Sequence, residues 1–541
     1  MDQLSAVASA RPLTAAVAAT AVAVAAYYAL RPAPSNRIPT LNVWSLFVST
    51  SSHSFTRRLL DTIKRYPSDI FRLSFSPFVN VIVLKGTQGT KFFHGSRDLD
   101  LDLGFQWLLG DLQPRDGKGD LDIIGLFLPN LKPKAVEVRV AQCMVPTMGA
   151  WIKKVEAGQA EGEITDLIPA FYDVIVSMAL RSFVGYTNGD NEPRIQKLIQ
   201  LMAAADPENM IRKNPVHLVA PNWPSAKRER DAAFGAIQDV MREMVDDYWQ
   251  RNETGVPTME EDPEKEYVDH DLMESATRAA TRRVNGKLEV NYAGVFNLIY
   301  RQVATLLHII SDIPHLHVLI NALFAAASNQ FVVSALYLYF LSSNPTDKAA
   351  VLQEIQPLVA FLRQHSFSTA STSPDAPHLD LSSIPSSLFD GFQRLESGVL
   401  ETIRMTARGF APRIPTKDVE FGGHIIKKGT PVLLSHETVH GDETFYEDVK
   451  DFKGGRFVKE SGGCMNPHSN DGRYIGFGYG RHPCLGMRFA TAQIKVIVAT
   501  ILSTWDIEFP EPLGELPFML VGILRPGKPL TMKWKRRADA L

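Results

Sequence analysis

The sequence predicts a mainly α-helical domain with small peripheral β-sheets, preceded by an N-terminal transmembrane helix. Apolar residues recur at helical spacing through the long segments His317 to Leu341, Leu395 to Ala407 and Phe489 to Trp505. Strand-like stretches are short and lie near the two ends of the body, at Val81 to Leu84, Lys91 to His94 and between Ile507 and Trp534. The run from Leu13 to Leu30 carries no charge and approaches the roughly 20 residues that span a bilayer.

The amino terminus divides into an anchor at residues 1–31 and a tether at 32–40, stiffened by Pro32, Pro34 and Pro39; the body is expected to run through residues 41–541. Arg31, Arg37, Arg57, Arg58, Lys64 and Arg65 follow the apolar run, which keeps the body on the cytosolic side. A cleaved secretory signal would carry its basic residues before that run instead. Further helices are expected at Arg139 to Trp151, Ile164 to Phe183 and Asp231 to Trp249. The acid-rich stretch Asn252 to Asp271 reads as an exposed connection, and Ser366 to Pro385, rich in Ser, Thr and Pro, reads as a loop. No internal repeat is visible. A hydrophobic content of 45% and a net charge of −2 argue against a nucleic-acid-binding surface. Three widely spaced cysteines give no disulfide framework, so a reducing compartment is the simplest inference.

Chemistry concentrates in Phe477-Gly478-Tyr479-Gly480-Arg481-His482-Pro483-Cys484-Leu485-Gly486. Glycines on both sides let the backbone approach a flat ligand, and Pro483 stiffens the turn before the sulfur. A thiolate presented in this way suits the axial position on haem iron. A zinc site built from Cys464, His468, His482 and Cys484 has spacings that fit no common zinc module. A dinucleotide loop fails because Pro483 stands where the third glycine belongs. Upstream, Glu401 and Arg404 lie three apart on one predicted helix face, a spacing that most often marks an ordinary ion pair. Arg456, bracketed by Phe452 and Phe457, offers a second guanidinium shortly before the cysteine.

The cysteine run resembles the haem-binding loop of the cytochrome P-450 family and meets every fixed position of its pattern, with Phe477, Gly480, Cys484 and Gly486 in place. The resemblance implies the cytochrome P-450 fold, haem b as cofactor, and Cys484 as the axial ligand of the iron. It implies that Glu401, Arg404 and Arg456 form a structural ion network, with Gly454 and Gly455 giving a looser turn than the proline and acid usual there. Arg413 and His482 become candidate partners of the haem propionates, since buried carboxylates need donors or counter-charges. One of Lys132, Lys134 and Arg139 is expected to join them. Where family members place an acid and a threonine to relay protons, the aligned residues are Ser328 and Asn329, after the small residues Ala325, Ala326 and Ala327. A carboxamide donates a hydrogen bond but has no accessible pKa, so water or the serine hydroxyl would carry the proton. This departure resembles the branch that holds sterol hydroxylases and prostacyclin synthase.

The resemblance thus implies a membrane-bound monooxygenase of the endoplasmic reticulum, its catalytic domain cytosolic, acting on a lipophilic small molecule such as a terpenoid, steroid or other secondary metabolite. Electrons would come from a separate NADPH-dependent reductase, with Arg473, Arg481 and Arg488 as docking charges. The alternatives are a haem-thiolate isomerase or dehydratase working without a reductase, and a noncatalytic haem carrier or sensor.

Overall fold

The structure is a computed structural model that describes residues 38–42, 52–74, 80–101, 131–184, 192–205, 329–366, 387–469, 471–514 and 522–537, with scattered positions elsewhere. The body begins with strand β1 (Thr40–Asn42), helix α1 (Ser52–Arg65), strands β2 (Ile70–Ser74) and β3 (Asn80–Leu84), helix α2 (Gly86–Gly95) and the short β4 (Leu99–Asp100). Lys91 to His94, expected as a strand, lies inside α2. Gly89, Thr90, Phe93 and His94 share its buried face at three- and four-residue spacing, a periodicity that a four-residue window is too short to reveal. β1 starts at Thr40, so the last residue of the expected tether already belongs to a sheet.

Helix α3 (Pro133–Arg139) runs through a wider π turn at Val140–Met144 into α4 (Val145–Glu156). Pro146 has no amide hydrogen for the carbonyl of Gln142, and the Val145 amide reaches back to Val140 instead. Ile164 ends β5 (Glu161–Ile164) rather than starting a helix; α5 (Leu167–Val184) follows, then α6 (Glu192–Ala205). A separate hairpin joins β6 (Thr281–Val284) to β7 (Lys287–Val290).

The helical core follows: α7 (Gln330–Ser343), α8 (Pro345–Glu354), α9 (Gln356–Ser366), α10 (Ser387–Asp390) and α11 (Gln393–Thr406). Helix α7 is apolar on all sides and buried along nearly its whole length, as a helix without a polar face must be. It packs against α5, α11 and the long C-terminal α13 (Met487–Thr504). Ser328 and the loop expected at 252–271 lie outside the described residues, as do 317–328 and most of 231–249; of the loop expected at 366–385, Ser366 closes α9 and residues 367–384 lie outside.

After α11 the chain adds β8 (Phe410–Pro415), the hairpin β9 (Val419–Phe421) and β10 (His424–Ile426), β11 (Val432–Ser435) and the single turn α12 (Glu437–His440). The largest sheet has the order β1-β2-β3-β11-β8-β4. β11 pairs parallel with β3 and antiparallel with β8, which sets Arg413 opposite Val432. β12 (Gly478–Tyr479) and β13 (His482–Pro483) form a hairpin before α13, and β14 (Trp505–Glu508) and β15 (Met532–Arg536) join β5 in a three-stranded sheet with β15 at its centre. Helices thus dominate and the sheets are peripheral. Among the described residues no helix is long and apolar enough to cross a membrane, and the expected anchor at 1–31 lies outside them.

Contact between α7 and α11 depends on Gly398, where an added methyl would collide with the hydroxyl end of the fully buried Tyr337 ring. Gly398→Ala would gain about 0.5–1 kcal/mol of helix propensity. Overpacking against an immobile ring costs about 1–3 kcal/mol and wins. Urea unfolding should therefore show a net loss in this variant, partly restored by adding Tyr337→Phe; a more stable single variant would contradict the packing.

Candidate functional site

The buried carboxylate of Glu401 organises everything around it. Its side chain is 0% exposed, and two guanidiniums converge on it. Arg404 Nε donates to one oxygen at 2.7 Å and Nη2 to the other at 2.8 Å, while Arg456 Nε reaches Oε1 at 2.9 Å. The Lys453 amide adds a fourth donor at 3.2 Å. A buried charge is tolerated only when its lone pairs are met in this way. Arg404 Nη1 then donates to the carbonyls of His440 and Val449, both at 2.9 Å, and Arg456 donates to the carbonyls of Glu447, Asp448 and Asp451. The turn holding Arg456 is not loose: the Gly454 amide donates to Asp347 of α8 at 2.8 Å, where the expected proline would have had no hydrogen to give.

From this node, tethers reach the cysteine loop. The Tyr446 ring lies under both arginines, and its hydroxyl donates to the Arg473 carbonyl at 2.6 Å. The Tyr474 hydroxyl donates to the Leu400 carbonyl at 3.2 Å. His440, fully buried, accepts the Ile475 amide on Nε2 at 3.1 Å, so Nδ1 must carry the hydrogen given to the Ala407 carbonyl at 3.0 Å. That arrangement needs a neutral ring, and burial, followed by the nearby His436, holds His440 well below the usual histidine range.

Beyond these tethers, Gly476 lies against Ile403 so closely that a Cβ would come within 2.5 Å of its Cγ2. Gly478 (φ 73) and Gly480 (φ 63) occupy the left-handed region, and a Cβ on Gly478 would meet the His482 carbonyl. The hairpin turns Cys484 back so that its amide donates to the Phe477 carbonyl at 2.7 Å, directly before the N-terminus of α13. Burial pushes the Cys484 thiol up to about 11, while the Gly486 amide aimed at it pulls the other way. The residue as a whole is only half-buried, so apolar neighbours around the sulfur, rather than depth, raise that value. Among the described residues no positive side chain stabilises its thiolate. A metal cation is what that donor would require.

Four bases gather about the hairpin: His94 of α2, Arg413 of β8, His436 beside α12 and His482 of β13. Arg413 is buried, its guanidinium lies 4.8 Å above the Phe93 ring, and Nη1 donates to the Pro412 carbonyl. Burial first, then Arg413, His436 and His482, lower His94 to about 3; burial and Arg413 lower His436 to about 4. Neutral imidazoles around one buried guanidinium, against the hairpin that leads to the cysteine, fit a ligand with a metal centre and an anionic edge, as haem b has. Cys484 would hold the iron, and Arg413 and His482 the propionates; Phe477, Gly480 and Gly486 shape the loop between them.

The remaining expected residues divide by position. Asn329 is half-buried just before α7, its Oδ1 3.3 Å from where a Cβ on Gly522 would sit. Of the three basic residues before 150, Lys132 and Lys134 are exposed and Arg139 is buried. Arg473, Arg481 and Arg488 are all exposed. Among the described residues no group of three or more His, Cys, Asp or Glu is placed to hold a metal ion, so the zinc grouping does not assemble. Cys464 instead lines a cavity of about 360 Å³ between α3 and α13, beside Met487 and Arg488. Sequence reasoning missed His94, His436 and His440, which carry no motif spacing of their own, and the clamp from Asp347.

The model of the family described as Cytochrome P-450 matches residues 310–534. Over 140 residues the chain is 32% identical to cytochrome P-450 3A12 of Canis lupus familiaris, covering 25% of this chain and 27% of that protein. Over 142 residues it is 34% identical to cytochrome P-450 3A28 of Bos taurus, covering 26% and 27%. Over 208 residues it is 28% identical to cytochrome P-450 4V2 of Mus musculus, covering 37% and 34%. The matched stretches therefore span between about a quarter and a third of these relatives' lengths.

Because the folded His440 binds a proton more weakly than the unfolded chain does, stability falls as pH drops below about 6.5, by up to about 1.4 kcal/mol per pH unit for this one group. Urea midpoints measured between pH 7 and pH 5 should fall less steeply in His440→Asn than in the parent; equal slopes would mean that His440 is not held neutral.

Proposed function

We propose, from the match of residues 310–534 to the cytochrome P-450 family model, that the protein is a haem-thiolate monooxygenase that inserts one oxygen atom from dioxygen into a lipophilic small molecule. Haem b bound through a thiolate supplies dioxygen activation and that oxygen transfer. The protein's own part is to hold the sulfur still, exclude water and orient the substrate. The observation that carries this reading is the placement of Cys484: its amide tied to Phe477 and its loop tied to the Glu401 node through residues 473–475.

Asn329, just before α7, and Phe331 of α7 lie against the segment that contains Gly522 and Arg525, whose guanidinium lies 5.1 Å above the Phe331 ring. In this reading Asn329 orients water by hydrogen bonding, and a hydroxyl or water moves the proton. The apolar α7 favours a terpenoid, steroid or similar lipophilic substrate. Residues 1–31 would be a single-pass anchor in the endoplasmic reticulum membrane, 32–40 its tether and 41–541 the cytosolic catalytic domain. The exposed Arg473, Arg481 and Arg488 would receive an acidic NADPH-dependent reductase. Asn329, lacking an accessible pKa, also favours a second reading, a haem-thiolate isomerase or dehydratase that turns over without reduced nicotinamide.

Reduced wild-type protein treated with carbon monoxide should give the red-shifted spectrum of a thiolate-ligated haem. Cys484→Ser should lose that spectrum, and retention would mean that another residue holds the iron. Product that forms only with NADPH and reductase supports the monooxygenase; product formed without them supports the isomerase.

A further inference from the structure

His94 occupies the last turn of α2 with 3% of its surface exposed, yet neither ring nitrogen has a hydrogen-bond partner among the described residues. The Tyr479 main chain lies near enough to favour a protonated ring slightly, but not in hydrogen-bonding geometry. The ring is instead held edge-on between Phe93 and Tyr479, with centroids at 5.3 and 6.0 Å. Its main chain is fixed as well. The His94 carbonyl accepts the Arg481 amide at 3.3 Å and lies 3.1 Å from where a Cβ on Gly480 would sit. The end of α2 is thereby fastened to the hairpin that carries the cysteine loop.

A buried imidazole with both nitrogens unmet is costly, and a phenylalanine would fill the same space without that cost. The buried Arg413 guanidinium, 4.8 Å above the neighbouring Phe93 ring, is a permanent positive charge acting on His94, so an anion is favoured there. A carboxylate in that position would accept a hydrogen bond from the ring and balance the Arg413 charge. We propose that His94 is a hydrogen-bond donor to a propionate of the bound haem, joining Arg413 and His482 in a cluster that fixes the porphyrin edge against the hairpin. This inference rests on the haem reading of the site and adds to it a residue from α2, a part of the chain remote from the cysteine motif.

The test uses the full chain loaded either with haem b or with its dimethyl ester, whose two carboxylates are blocked, and follows transfer of each porphyrin to excess apomyoglobin. His94→Phe should release haem b roughly tenfold faster or more, release the ester at the wild-type rate, and keep the thiolate-type carbon monoxide spectrum. Equal acceleration for both porphyrins would make His94 a packing residue, and unchanged release of haem b would remove it from the site; either result overturns the proposal. Should His94→Phe not fold, His94→Leu also removes the donor, and the propionate bending band in the resonance Raman spectrum decides. A shift from the wild-type frequency is expected, and an identical band overturns the proposal. Wild-type protein that takes up neither porphyrin would sink the haem reading itself, an outcome distinct from haem-loaded variants that match wild type.

Discussion

A buried carboxylate with two arginines on it is the constraint on which the rest of the molecule depends. Glu401 has no contact with water, so its charge is tolerable only while Arg404, Arg456 and the Lys453 amide are all in place. Removing one partner from such a set costs about 3–5 kcal/mol, mostly from the charge left behind. Each arginine in turn spends its other hydrogens on main-chain carbonyls, those of His440 and Val449 for one, and of Glu447, Asp448 and Asp451 for the other. The carboxylate therefore fixes the path of residues 440–456, a stretch with little regular structure of its own.

That path fixes the cysteine loop. Tyr446, Leu400 and His440 each hold one of three successive residues, Arg473, Tyr474 and Ile475. The hairpin that follows is closed on itself through the Phe477 carbonyl and fastened to α2 through His94. The cysteine is thus presented by a short loop whose two ends are anchored to different parts of the fold. Its neighbours are apolar, and its thiol is reluctant to ionise in the protein alone. Such a donor is suited to a metal centre, and the buried Arg413 among the bases about the hairpin is suited to an anion.

Much of the site was legible in the sequence because its chemistry is local. Cys484 and its glycines are adjacent, and Glu401 and Arg404 are three apart on one helix face. Arg456 could be named because aromatics bracket it, although its contact to Glu401 spans 55 residues. What escaped was set by tertiary pairing. The clamp from Asp347 to Gly454 crosses 107 residues and replaced the looseness that two glycines implied. His440 and His94 act through the groups that surround them, and nothing in their flanking residues announces a buried imidazole. Within the helix at Gly86–Gly95, Lys91 to His94 alternate like a strand, and four residues are too few to show the three- and four-residue spacing of the buried face. The helical class and the peripheral sheets followed from periodicity; the order of the six-stranded sheet, which joins strands of residues 40–100 to strands of residues 410–435, did not.

The dependence of the cysteine loop on Glu401 is open to direct measurement by amide hydrogen exchange in Glu401→Gln, which keeps the shape and removes the charge. If the carboxylate holds the loop, protection should collapse at Ile475, Gly478 and Cys484 while the remote β14–β15 pairing keeps its parent rates. Unchanged protection at those three amides would show that the loop stands without the Glu401 node.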